Sequence, residues 1–162
     1  MNAIITKPDT DVIDISIAPG KIKKFRIDGD DNRIIRLDVS DNNVAVRASE
    51  RIPALKELEQ QIRDFGKSSE DEDGDDVEAR LVRFATEYKN IDSAMKAHID
   101  YIFNADVSEA CCNGASMYDI IDGYMRYEII FDQLRRLYDA ESASELKKVK
   151  ERVAKHTAKY NK

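Results

Sequence analysis

Residues 98–119 read HIDYIFNADVSEACCNGASMYD and bring a histidine, two adjacent cysteines and a glycine turn close together in the chain. Imidazole and thiolate are the side chains best suited to hold zinc or to act as base and nucleophile. His98, Cys111, Cys112 and the second histidine, His156, are therefore the first candidates for chemistry. A structural zinc site usually separates paired cysteines by about two to four residues, so that both sulfurs reach one metal without strain. Cys111 and Cys112 are adjacent, and the two histidines fall on different helical stretches. A nucleophilic cysteine needs a base and an orienting partner, and gains from a helix N-terminus. A short helix over 106–112 would instead place both sulfurs at its C-terminal end, where the dipole disfavours a thiolate. At least one cysteine then reads as a small buried hydrophobe. Each histidine occupies a helical stripe position, where a packed, hydrogen-bonded role is the simpler one. No G-x-S-x-G, Walker loop, G-x-G-x-x-G or H-E-x-x-H occurs, and the carboxylates lie in solvated runs. The expectation is a protein that is not an enzyme and has no metal and no cofactor.

The elements that would position these residues change character along the chain. Ile13, Ile15 and Ile17 alternate in DVIDISI, Pro19-Gly20 turns the chain, and Phe25/Ile27 and Ile35/Leu37/Val39 alternate again. This period of two predicts an N-terminal β element over 1–40, with a hairpin over 22–39 turning at the sequence GDDN. After the N-cap cluster Ser40-Asp41-Asn42 the period becomes 3.6. Leu55, Leu58, Ile62 and Phe65 predict a helix over 41–66, which Pro53 either kinks or splits. Residues 67–76, KSSEDEDGDD, read as an acidic linker. A calcium loop is the sharper alternative for Asp71, Asp73 and Asp75, but Gly74 and Val82 stand where that loop needs other residues.

Residues 77–162 then read as a helical body. Val77, Leu81, Phe84, Tyr88, Ile91, Met95, His98 and Ile102 form one continuous stripe. Met117, Ile120, Tyr124, Tyr127, Phe131, Leu134 and Tyr138 repeat the rhythm over 116–140. Ser142-x-x-Glu145 is a capping box that would start a last helix carrying Leu146, Val149, Val153, His156 and Tyr160 on one face. The predicted fold is mainly α: an antiparallel helical bundle with a small N-terminal β-hairpin or meander, one compact domain overall.

Charge narrows the partners. The net charge of −6 is split between seven carboxylates in residues 70–78 and seven Lys/Arg in residues 147–162. An acidic total argues against nucleic acid, which needs a continuous basic face. No stretch approaches the roughly 20 apolar residues of a membrane span. With no secretory leader pattern and only a vicinal cysteine pair, the expectation is a reducing, cytosolic setting and no membrane partner. Tyrosines 118, 124, 127 and 138 favour either an interface or a bundle core with hydroxyls at its rim. Ile121, Ile130 and Leu137 make the 116–140 segment apolar on more than one side, as suits a central helix or one that meets a second partner.

The layout of hairpin, helix, acidic linker, long helix ending in I-D-Y-I-F, small turn and Lys-rich last helix resembles the tail assembly chaperones of long-tailed phages and prophages, particularly the small ones of Gram-positive hosts. The resemblance covers about residues 22–160 and is carried mainly by HIDYIFNADVSEACCNG and YDIIDGYMRYEIIFDQLRRLY. Ile99, Asp100, Ile102 and Phe103 match an I-D-x-I-F segment, Ser108, Glu109 and Ala110 match the following turn, and Cys111-Cys112 takes the place of an apolar pair. Asn104-Ala105-Asp106 replaces a glycine-bearing turn. The resemblance implies a non-enzymatic protein of the bacterial host cytoplasm, absent from the mature virion. Such a protein binds the tape measure protein, recruits the tail tube subunit and self-associates. The contact surface expected on this reading is Tyr124, Tyr127, Phe131, Leu134 and Tyr138. The alternative reading is a virion structural component, such as a tail-tube or head–tail connector subunit.

Overall fold

Two strands open the fold. In the computed structural model, which describes residues 20–68 and 76–160, β1 (Ile22–Ile27) pairs antiparallel with β2 (Asp30–Asp38). The hairpin turns on Asp28-Gly29, which begins one residue ahead of the expected GDDN tetrad and shares its Gly29, because Asp28 and Gly29 both hold positive φ (52° and 74°) and so make the turn whose twist suits a hairpin. The ladder then skips residues 31–33, since Ile27 faces Asp30 but Arg26 faces Ile34. Ile35, Leu37 and Val39 alternate inward and are buried, as period two predicts, while Ile34 stays exposed. The expected strand over DVIDISI, the bulk of the acidic linker and its calcium alternative lie outside the described residues.

Among the described residues three long helices and one short one make most of the rest, so the chain is mainly α with a small N-terminal hairpin, as its periodicity predicts. Helix α1 (Val44–Ser68) runs straight through Pro53, which lies on its exposed side, so the segment is not split. Helix α2 (Val77–Phe103) starts at Asp76, whose side chain accepts from the Glu78 N–H. It lies antiparallel to α1: Phe65 meets Phe84 edge-on at 4.7 Å near one end, and Arg47 reaches the Ile102 carbonyl at 2.9 Å near the other. Ile91, Met95 and Ile102, from the long stripe, are core residues, and Ile99 and Phe103 beside it are buried as well. Helix α3 (Val107–Cys112) follows after a tight corner.

The segment 116–140 differs from the expected continuous helix. Ile120–Ile121 (β3) and Tyr124–Met125 (β4) form a second, minimal hairpin around Asp122-Gly123, again with positive φ at both turn residues. That Asp-Gly pair between apolar residues is a hairpin signal that the helical rhythm of Met117, Ile120 and Tyr124 overrode in the sequence. Helix α4 (Arg126–Tyr160) then runs unbroken past Ser142, so the capping box starts no new helix. Nothing between Ala140 and Glu145 breaks a helix, and a cap can act only where the preceding turn is non-helical. Tyr127 donates to the Glu59 carboxylate at 2.7 Å, and Phe103 packs against Phe131 and Tyr138 at 6.0 and 5.9 Å. Helix α4 therefore runs opposite to α1 and in the same direction as α2.

Candidate partner-binding groove

The corner between α2 and α3 holds most of the residues that first suggested chemistry, and its geometry is one of packing. Asp100, in the last turn of α2, reaches forward to the start of α3. Its carboxylate accepts from the Val107 and Ser108 N–H groups at 2.8 and 2.7 Å and from the Ser108 hydroxyl at 2.6 Å. Asn104 between them adopts φ 49°, the left-handed conformation that glycine, asparagine and aspartate take more readily than other residues. It thus does the work of the glycine that this turn lacks. Arg33, from the looped-out stretch of β2, donates to the Ala110 and Cys111 carbonyls at 2.8 and 3.1 Å and covers the open end of α3.

Both thiols are free, Cys112 buried and Cys111 half-buried. Burial, reinforced by its neighbour Cys112, pushes the Cys111 thiol up to about 11, and burial raises Cys112 as well. A rise of about two units lowers the thiolate fraction near neutral pH roughly 100-fold. Alkylation by iodoacetamide at neutral pH, followed by intact mass, should accordingly leave both cysteines unmodified over a time that labels an exposed thiol fully. Rapid labelling of either would contradict the packing described. His98 is half-buried, and burial, with the Arg51 guanidinium nearby, lowers its pKa. Among the described residues no group of three His, Cys, Asp or Glu side chains could hold a metal ion.

A different feature offers a binding surface. Helices α1 and α4 both rest on α2 but diverge from each other, and an apolar groove opens between them. One part, about 490 Å³, is walled by Val44, Ala45, Ala48 and Ile52 of α1 and floored by Phe103, Phe131 and Tyr138. A second part, about 210 Å³, continues past Ile52 and Phe131 to Leu55 and Tyr127. The small residues Ala45, Ala48, Ser49 and Ser142 keep the larger part open. Among the described residues the buried hydroxyl of Tyr138 has no hydrogen-bond partner.

The five residues expected to form a contact surface divide here. Phe131 lies at the junction of both parts of the groove, and Tyr127 and Tyr138 line it from below. Tyr127 and Tyr138 are nonetheless core residues, 7% and 8% exposed, so little of either side chain is open to a partner. Leu134, 4% exposed, sits on another side of α4 beside Ile27 and Cys111, and Tyr124 projects from the second hairpin. The five do not form one exposed patch, because α4 turns successive stripe residues into a core supplied by α2 and the hairpin. The α1 wall was not singled out from the sequence; its signal is the small-residue spacing Ala45, Ala48, Ser49 on an otherwise apolar helix face.

The Tyr127–Glu59 bond ties α4 to α1 across the groove. The Tyr127 hydroxyl first, and the Arg63 guanidinium second, hold the Glu59 carboxyl below its ordinary value of 4.5. A depressed carboxylate contributes stability that is present above its unfolded value and lost as pH falls through its folded one. Tyr127→Phe should therefore cost about 1–2 kcal/mol at neutral pH. The cost should shrink as the pH drops below about 4.5, measured by urea unfolding across that range. A cost that stays constant with pH would show that the bond does not stabilise the ionised Glu59.

Comparison of the chain with known families, with characterised proteins and with solved structures finds no match. No helix among the described residues is long and apolar enough to cross a membrane.

Proposed function

We propose that this chain is a tail assembly chaperone of long-tailed phages or prophages, and that it holds helical stretches of a tape measure protein in the α1/α4 groove while the tail tube assembles. The groove carries the reading: it is apolar, open along its length and floored by aromatic rings, which suits an amphipathic helix laid in lengthwise. The resemblance in residues 99–138 supports it, and so do thiols suppressed by burial and a charged exterior around one apolar channel.

Co-expression with the tape measure protein of the same gene cluster tests the proposal. The expected result is a soluble complex that co-elutes on gel filtration. Ala45→Arg, at an exposed position on the groove wall, should fill the channel without touching the core. It should weaken the complex at least about tenfold while leaving the melting temperature unchanged. A tape measure protein that stays equally insoluble with and without this chain, and no complex, would sink the proposal.

A further inference from the structure

Helix α4 outruns the body it packs on. Ion pairs from Lys21 and Lys23 of the hairpin to Glu145 and Glu141 hold it at the rim of the core. Beyond them residues 146–160 continue as about 22 Å of helix. Every residue from 146 to 155 is exposed, so this arm is covered by nothing among the described residues. Its apolar residues are nonetheless ordered. Leu146, Val149 and Val153, at steps of three and four, are 61%, 43% and 56% exposed and share one side of the helix. An isolated helix of about 15 residues is marginal in water, so the bare seam leaves the arm short of the packing that stabilises the rest of α4.

The seam is edged by cations. At about 3.6 residues per turn, Leu146, Val149 and Val153 fall within roughly 60° of the helix circumference, with Lys150 beside one edge and Arg152 beside the other. Lys147 and Lys155 lie further round. Among the described residues none of these four meets a carboxylate, whereas Lys148 pairs with Glu145 at 3.0 Å. Glu151 is the one acidic residue between 146 and 155. A narrow aliphatic seam with a charge on each flank is the arrangement of a helix that pairs with another helix, the flanking charges choosing the partner. A helix lying in a bilayer surface buries a wider apolar face, usually with aromatic rings, and residues 146–155 hold no aromatic residue. Duplex nucleic acid offers phosphates but nothing apolar for the seam. A second copy of the same stretch would set cation against cation.

We infer that the exposed end of α4 is a docking arm for an acidic amphipathic helix of another protein, one whose apolar residues recur at steps of three and four between flanking Asp or Glu. The two seams close on each other, and the partner's carboxylates meet Lys150 and Arg152. The arm lies beyond the α1/α4 groove, so this contact does not depend on what that groove holds. A contact one helix wide is small beside the roughly 1,200–2,000 Å² of a stable complex, so it is weak by itself and sensitive to salt.

The probe is a labelled synthetic peptide helix with Leu at core steps of three and four and Glu on both flanks, titrated with the full chain. Its fluorescence anisotropy should rise, and amide exchange should slow in residues 146–155 and not along the groove. Affinity should fall at least about tenfold between about 0.1 M and about 1 M salt, as the Debye length shortens from about 10 Å to about 3 Å. The same peptide with Lys in place of Glu should not bind. Lys150→Glu/Arg152→Glu should exchange these preferences, losing the Glu peptide and gaining the Lys peptide. Leu146→Ser/Val149→Ser should weaken binding at least about tenfold. All four positions are exposed, so both variants should keep the wild-type melting temperature. Ala45→Arg, which fills the groove, should bind the Glu peptide as the wild type does, so a failure here is told apart from a failure of the groove reading. Equal binding of the two peptides, a charge-reversed variant that still prefers the Glu peptide, or protection along the groove would each overturn the inference. So would protection of the arm by phosphatidylglycerol vesicles or duplex DNA with none from the Glu peptide.

Discussion

Phe103→Ala is expected to lower the stability of the fold by about 3–5 kcal/mol, the range for truncating a fully buried aromatic ring. Phe103 is 2% exposed at the end of α2, and its ring touches Phe131 and Tyr138, the main contact between α2 and α4. It also floors the larger part of the groove, so its loss would merge a new void with an existing cavity. Neighbours that are rigid rings collapse poorly into such a void, which favours the upper part of the range. The urea midpoint should fall with little change in slope. Amide protection should drop most in residues 126–138 of α4, which lose their footing, and least where α1 and α2 pair through Phe65, Phe84 and Tyr88. Phe103→Leu, which keeps most of the volume, should cost less than half as much. A cost below about 1 kcal/mol for the alanine variant would mean that α4 is held elsewhere.

Asp100→Ala should be the most damaging polar substitution, at about 2–4 kcal/mol. One part is the loss of an N-cap, typically about 1 kcal/mol. The other is the desolvation of donors left without an acceptor, about 1–3 kcal/mol. Both stranded donors are deeply placed, since Val107 and Ser108 are buried. Asp100→Asn retains one acceptor oxygen and should recover about half of the loss. Ser108→Ala removes only the hydroxyl contact, and combined with Asp100→Ala it should cost clearly less than the two single losses added together. Chemical denaturation of the four proteins is sufficient. A change within about 0.5 kcal/mol of neutral for Asp100→Ala, the usual range for a surface position, would refute the capping role.

Where one side chain's period dominated, the sequence was readable. Alternation in Ile35, Leu37 and Val39 predicts the buried face of β2, and the Val77-to-Ile102 stripe predicts α2 with its core residues Met95 and Ile102. Two elements were missed because a second, compatible pattern hid the governing one. The Ile120–Tyr124 hairpin shares its apolar positions with a helical rhythm, and only Asp122-Gly123 discriminates between them. The Ser142-x-x-Glu145 box has the chemistry of a cap, yet hydrogen bonds of a helix already under way consume the groups it would satisfy.

The candidate site was less legible, for a physical reason. A helical stripe records which residues turn the same way and not what they meet. Tyr127, Phe131, Leu134 and Tyr138 recur with one period, but α4 crosses α2 close to Phe103, so three of them are core and only Phe131 reaches well into the groove. The opposite wall, Ala45 and Ala48, comes from a helix about 80 residues earlier, and no local pattern couples the two.

The sequence alone determined the first hairpin and its inward face, the helical character of α1 and α2 with the long α2 stripe, and the segregation of acidic and basic charge to different parts of the chain. All of these follow from local spacing and composition. Tertiary structure alone decided that the vicinal cysteines are raised by burial, that Asp100 is a cap, and that α1 and α4 part to leave a groove. Each of these depends on distances between segments remote in sequence, which packing sets and periodicity does not encode.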